Sequence, residues 1–402
     1  MQALHLKKKN NIVHLCYVIS FFFIFIQSSD ARNSYDIKWF KLGLMFLIFG
    51  SCAYIFKEYA FNNKFEIKIS KIRVTQMIIW AILCLSFVPA CSSKQLDSGI
   101  ISRYVIMYVL YFLVLTIGNI DIKDVCVAAF ICNVYICYRC TFELGLTYSY
   151  YQGTTINPNQ FGMTMLGGVV GTFYLMIFFK NKISRIILLI FEIIFLAFIV
   201  FSSSRTNMLA VILGVMIFLP YYLHKCKNIY LLRNNSLKIS SFLLINGAFL
   251  ACVIAVIIYR ESIVNFFFNK WGNGGHSLLS SREDIWLDVL KNMKIFSGAK
   301  IQVNTNGEFL NWINEYGFIT FAAFFLNISY LYFMAVNNYN TCSSFDNIFY
   351  IIVITVYLFI ALFENIFTLF GKPINIIFLM TLGYILKNRE KNFSLNHWNN
   401  II

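Results

Sequence analysis

The sequence predicts an all-α, polytopic integral membrane protein with about twelve transmembrane helices, and three observations carry that prediction. Of the 402 residues, 59% are hydrophobic and only 13% are charged. Apolar stretches of about 17 to 22 residues, close to the length a membrane helix needs, recur from end to end. One polar segment, residues 260–310, interrupts the pattern. Spans are predicted near 11–27, 39–56, 74–90, 100–118, 122–138, 160–179, 183–201, 206–223, 239–259, 311–335, 347–366 and 374–386. With no solenoid-length repeat, low-complexity tract or linker, residues 1–402 read as a single polytopic domain.

The first span follows Lys7, Lys8 and Lys9. Eleven further spans and the lack of a small-residue cleavage site point to an uncleaved helix rather than a signal peptide. Placing the N-terminus in the cytoplasm puts Lys57, Lys64, Lys68, Lys71 and Arg73 inside, with Lys180, Lys182 and Arg185, then Lys225, Lys227, Arg233 and Lys238, then the tail Lys387, Arg389 and Lys391. Counting every Lys and Arg gives 19 inside and 14 outside, six of the latter in the 260–310 loop. The short outer loops are poor in positive charge, as the positive-inside rule requires, and both termini are cytoplasmic. The net charge of +15 is therefore mostly topology, with attraction to anionic membrane lipids as a by-product. It is not a nucleic-acid footprint, because no soluble basic domain presents it. Of the eleven Cys, Cys137 and Cys140 form a lone CxxC at the end of an apolar run; with no second pair, no Cys/His cluster and no βαβ pattern, a zinc or redox site has no support, and nearly all the Cys read as small apolar filler.

Charged residues at the outer ends of the spans are the informative set, since desolvating a charge is costly. The sixth span opens with INPNQFG at 156–162, where Pro158 suits the first helical turn and Asn157 its cap. The eighth opens with SSSRTNMLA at 202–210, a turn of small hydroxyl residues in which Ser204 can cap the helix and Arg205 faces the interface, a geometry that suits an anion. The ninth leaves through Arg260 and Glu261 into the long loop. Its glycine-rich WGNGGHS at 271–277 contains His276 but is too irregular for a nucleotide fingerprint. SSREDIW at 280–286 begins an amphipathic segment through Asn292, with Trp286, Val289, Leu290 and Met293 at helical spacing, which predicts a short helix on the membrane surface. Arg282 falls in its first turn, where positive charge opposes the helix dipole, a placement that favours ligand binding over stability. The segment 304–317 carries Glu308 and Glu315, seven residues apart, into the tenth span on one face. Glu364 closes the eleventh span in LFENIFTLFGKP. Glu192 sits inside the seventh and is expected to make an interhelical hydrogen bond.

In this order, NPNQFG, the SSSRT turn, R-x-x-x-W from Arg282 to Trp286, E-x-G from Glu315 to Gly317, and LFEN, the chain resembles the O-antigen polymerase (Wzy) and O-antigen ligase superfamily of polytopic bacterial envelope glycosyltransferases. The ordered set spans about 157–367, and the N-terminal half agrees in hydropathy alone. The resemblance implies an undecaprenyl-diphosphate-linked oligosaccharide as donor. It also implies metal- and cofactor-independent glycosyl transfer at the periplasmic face of the inner membrane, a periplasmic 260–310 loop, and a chain-length regulator protein as partner. Arg205 and Arg282 match the family's arginine positions and so become candidates for binding the diphosphate, with Arg260, Asn159, His276 and Glu315 as further substrate-binding residues. Ligases carry a His in a His-Asn-x-x-Leu element before the tenth span. Aligning Leu310 puts Asn306 there, a residue unable to act as a base, which favours polymerase over ligase and moves the base role to Glu308, or to His276. A lipid-linked glycan flippase or other transporter is the alternative from a different class. Such proteins concentrate ionisable and broken-helix features near the midplane, and here the outer-face charges dominate.

The topology predicts that Ser277→Cys, on a Cys-free background, reacts with a membrane-impermeant maleimide in intact cells. Modification only after the inner membrane is opened overturns it.

Overall fold

A computed structural model describes residues 11–30, 38–62, 74–76, 78, 120–146, 151–155, 157–232, 282–296, 307–364 and 371–399. Among them the regular structure is helical throughout: α1 (Asn11–Ser29), α2 (Lys38–Asn62), α3 (Ile122–Arg139, continued by a π-helical turn Cys140–Leu144), α4 (Pro158–Phe178), α5 (Lys182–Phe201), α6 (Arg205–Leu232), α7 (Arg282–Lys291), α8 (Glu308–Tyr316), α9 (Phe318–Thr341), α10 (Phe345–Phe363) and α11 (Pro373–Asn399). Eight of them are long and apolar enough to cross a membrane, and the Pro373–Lys387 part of α11 is a shorter apolar helix. The chain is a multi-pass membrane protein. The spans expected at 100–118 and 239–259, and nearly all of 74–90, lie outside the described residues, as do Arg260 and His276.

Polar residues just ahead of the apolar runs set where these helices begin. Asn157 caps α4 by accepting from Asn159 N at 2.8 Å, with Pro158 in the first turn where its missing N–H costs nothing. Asp121 and Asp124 form a capping box on α3, Asn181 caps α5 and Ser344 caps α10.

The tenth span is corrected. A single helix over 311–335 was expected, with Glu308 and Glu315 carried into it. Instead Gly317, at φ +91°, breaks the path, so that Glu308 and Glu315 lie on the separate nine-residue α8 and the membrane-length helix starts at Phe318. That conformation is open to glycine and costly for any other residue. No side chain caps α9. Its first amides, Phe318 N and Ile319 N, donate instead to the carbonyls of Lys294 and Ile295 at 3.0 and 3.1 Å, which meets the need of two donors that every helix start leaves open. A short helix appears where one was expected, as α7, with Val289 buried and Leu287, Leu290 and Met293 exposed.

The bundle is organised around α4, which packs against α3, α5, α6 and α11. Its glycines set how near they come. A Cβ on Gly167 would lie 2.5 Å from Pro373 Cβ and 2.7 Å from Ile374 N, and one on Gly168 would lie 2.6 Å from Asn133 Cγ. Without a hydrophobic drive between helices in lipid, such backbone approach is a main source of association. By contrast α5 turns Ile183, Ile186, Ile190 and Ile193 outward, as a lipid-facing helix should.

Gly167→Ala therefore pushes a methyl into the backbone of the 373–374 turn and is expected to lower stability by about 1–3 kcal/mol. Gly214→Ala meets only ordinary van der Waals contacts, Val356 Cγ2 at 3.4 Å and Ile352 Cγ2 at 3.5 Å, and is expected to be neutral or mildly stabilising. SDS-titration unfolding in mixed micelles compares the two.

Candidate functional site

The C-terminal ends of α1, α3, α5 and α10 and the N-terminal ends of α4, α6 and α11 gather at one end of the bundle. Hydrogen bonds there join three motifs that are far apart in sequence. Asn159, in the first turn of α4, donates from Nδ2 to Glu364 Oε1 at 2.7 Å across 205 positions. The Asn159 backbone carbonyl accepts from Asn207 Nδ2 at 3.2 Å, and the same amide donates to Ser204 Oγ at 2.5 Å. Gly162 makes room for this crossing, since a Cβ there would sit 2.6 Å from Asn207 Nδ2. NPNQFG, SSSRT and LFEN are thus one polar cluster.

The hydroxyl turn before α6 is explained by its own bonds. Ser202 Oγ donates to Ile199 O at 2.7 Å and accepts from Ser204 N at 3.3 Å, while Ser203 takes a left-handed φ of +52°, sparsely populated for a residue with a side chain. This turn delivers Arg205, half-buried, to the start of α6 beside Asn207. Asn207 itself is fully buried, and its Oδ1 takes no hydrogen bond among the described residues. The first turns of α4 and α6 thus lie side by side, joined through Asn207, with Arg205 opening the second.

Two features of this end were not singled out from sequence. Arg139 closes α3 in ion pairs with Asp30 at the end of α1 and, at 2.8 Å, with Glu143 in the π-turn. Thr154 Oγ1 donates to Ser29 O at 2.7 Å and Tyr151 OH to Cys140 O at 3.1 Å, tying the 151–155 segment to the same corner. Lys372, 1% exposed, donates from Nζ to Thr164 Oγ1 at 2.9 Å, and Thr164 in turn donates to Gln160 O at 3.1 Å. Burial lowers the Lys372 ammonium to about 7, opposed by nearby Cys132. Its position in FGKP, a cation between LFEN and an apolar helix, was the available signal.

Of the residues predicted from sequence, Asn159, Arg205 and Glu364 are brought together. Arg282 and Glu308 are placed by backbone, as the first residues of α7 and α8, and α7 packs on α8, which packs on α9 and α10. Glu315 is half-buried on α8 and makes no hydrogen bond or ion pair among the described residues. Glu192 does not meet its expectation of an interhelical hydrogen bond: it is buried on α5 with Oε2 unpartnered. The contact of Phe161 with Phe198 sets the antiparallel register of α4 and α5, which brings Gly167 and Gly168 to the level of Glu192, and neither offers a side-chain donor. Among the described residues no three His, Cys, Asp or Glu are grouped to hold a metal ion. Compared with known proteins, the chain matches no family model and no curated protein.

Asn159 and Glu364 should be energetically coupled. Removing either takes away the other's hydrogen bond across the helix ends, so Asn159→Ala and Glu364→Ala together should cost about 1–3 kcal/mol less than the sum of the single effects. Additive unfolding free energies in a double-mutant cycle refute the pairing.

Proposed function

We propose that the protein is an O-antigen (envelope polysaccharide) polymerase that joins undecaprenyl-diphosphate-linked oligosaccharide repeat units at the periplasmic face of the inner membrane. The observation that carries this reading is the hydrogen-bonded meeting of Asn159, Asn207 with Ser204, and Glu364, one from each of three motifs whose order suggested the superfamily. In this reading the chain has twelve spans, both termini are cytoplasmic, and the 260–310 loop is periplasmic.

The reaction forms a bond between the anomeric carbon of the donor glycan and an acceptor hydroxyl oxygen, and breaks the anomeric C–O bond to the lipid diphosphate. The bonding pair of the broken bond stays on the diphosphate. Arg205 and Arg282 hold that group, since a fixed guanidinium stabilises charge where it accumulates. Glu308 takes the acceptor proton as general base. Arg260, Asn159, His276 and Glu315 bind the substrate glycans, and a chain-length regulator protein sets how often the cycle repeats. Glu364 orients the Asn159 amide.

A planar, bidentate guanidinium is not replaced by an ammonium. Arg205→Lys and Arg282→Lys are each expected to abolish most polymer at unchanged protein level, leaving one repeat unit on lipid A-core in an envelope polysaccharide gel, as in a strain lacking the protein. Near-normal ladders from both variants remove the arginines from the mechanism. Loss of all glycan from the core in the deletion strain identifies a ligase, and accumulation of single lipid-linked units at the cytoplasmic face a flippase.

A further inference from the structure

Three buried oxygens on α3, α4 and α5 have no hydrogen-bond partner among the described residues: Asn133 Oδ1, Thr172 Oγ1 and Glu192 Oε2. Asn133 and Thr172 are wholly buried, and Glu192 is 8% exposed. Two of the oxygens are turned away from what their own helix offers. Asn133 Nδ2 donates to Ala129 O at 2.9 Å, which orients the amide with its oxygen on the other side. Thr164, Thr320, Thr341 and Thr355 each donate to the carbonyl four residues back, as helical threonines commonly do, and Thr172 does not.

Packing brings the three to one crevice. Thr172 lies one turn beyond Gly168, whose Cβ would meet Asn133 Cγ at 2.6 Å, so it borders α3. It also lies eleven residues, roughly three turns, beyond Phe161, and so shares the stripe that meets Phe198 of α5. The Asn133 amide, bonded at Ala129, reaches the level of Gly171, where a Cβ would meet Ala129 Cβ at 3.4 Å. Phe130, one turn before Asn133, touches both Phe191 and Phe195, the rings that flank Glu192. Glu192 stands at the level of Gly167, five residues or roughly 7.5 Å short of Thr172 along α4. Side chains lean toward the N-terminus of their own helix, and α4 and α5 are antiparallel, so Glu192 and Thr172 lean toward each other. The three oxygens do not bond one another, which leaves a gap between them.

We infer that this crevice binds one monovalent alkali cation, held by the Glu192 carboxylate, the Asn133 amide oxygen and the Thr172 hydroxyl oxygen. The three groups are all oxygens and the one N–H among them, on Asn133, is turned to Ala129, which is the ligand set a hard cation takes. One carboxylate neutralises one positive charge. A divalent ion would leave a net charge inside the bilayer, where uncompensated charge is costly. Lys372 of α11 does not take the place of the ion: it bonds Thr164, eight residues or roughly 12 Å from Thr172 along α4. The bound ion joins α3, α4 and α5 at mid-length, and the inference does not depend on the polymerase reading.

The test is equilibrium binding of radioactive sodium, and of radioactive rubidium in place of potassium, to the full-length protein in phosphatidylcholine nanodiscs with choline as the other cation. The wild type is expected to bind about one ion per protein saturably, and Glu192→Gln none; whichever isotope binds identifies the ion. Thr172→Val keeps the shape and removes the oxygen, and is expected to raise the half-saturating concentration about tenfold. Dicyclohexylcarbodiimide, which attacks a carboxyl left free of a cation, should modify Glu192 in choline, and about tenfold more slowly at ten times the half-saturating concentration of the ion. That labelling, located by peptide mass spectrometry, serves if Glu192→Gln fails to fold. No saturable binding of either ion, or equal binding by wild type and Glu192→Gln, overturns the proposal and leaves water between the three oxygens. Labelling at one rate in sodium, potassium and choline overturns it as well. Neither result bears on the polymerase reading.

Discussion

Close approach to α4 is the constraint on which the rest of the structure depends. Lipid tails are as apolar as leucine, so helices in a bilayer gain little from hiding side chains from them and associate where backbones can touch. Along α4, Gly162 admits the Asn207 amide, Gly167 the Pro373 turn, Gly168 the Asn133 side chain, and Gly171 the Cys126 carbonyl, which would lie 3.2 Å from a Cβ. Each recess receives a different neighbour. A larger residue at any of them displaces α3, α6 or α11, and with it a member of the polar cluster at the helix ends.

The two ends of the bundle satisfy their polar groups differently. At the end away from the site the bonds are structural: His14 Nδ1 and Asp124 Oδ2 are 2.7 Å apart, Asn347 Nδ2 donates to Cys342 O at 2.7 Å, and Asn338 Nδ2 donates to Ile385 O at 2.9 Å, each closing a helix end or pinning two helices. At the site end Arg139 is matched by two carboxylates, Lys372 bonds a hydroxyl and, among the described residues, no carboxylate, and Arg205 stands at the start of a helix whose dipole opposes it.

How much of this was legible depended on whether the cause was local. The start of α4 could be read from Asn157 and Pro158 because a cap acts over two or three residues, and α7 from Trp286 and Val289 because amphipathic spacing is periodic. The break at Gly317 was hidden inside an apolar run: hydropathy does not register a single backbone angle. The Asp30–Arg139 pair joins residues 109 positions apart, and nothing in either neighbourhood announces the other. Glu192 was misjudged for a related reason, since the expectation of a donor took no account of which α4 residues share its level.

The joint between the long loop and α9 has a consequence for how this protein can change over time. It is made by the carbonyls of Lys294 and Ile295 and the amides of Phe318 and Ile319, groups that almost any residue supplies. Replacement at 294 and 295 leaves the joint intact, and proline at 318 or 319 is the one identity it excludes, for want of an N–H. Ancestry at this point is recorded in the path of the chain rather than in its letters.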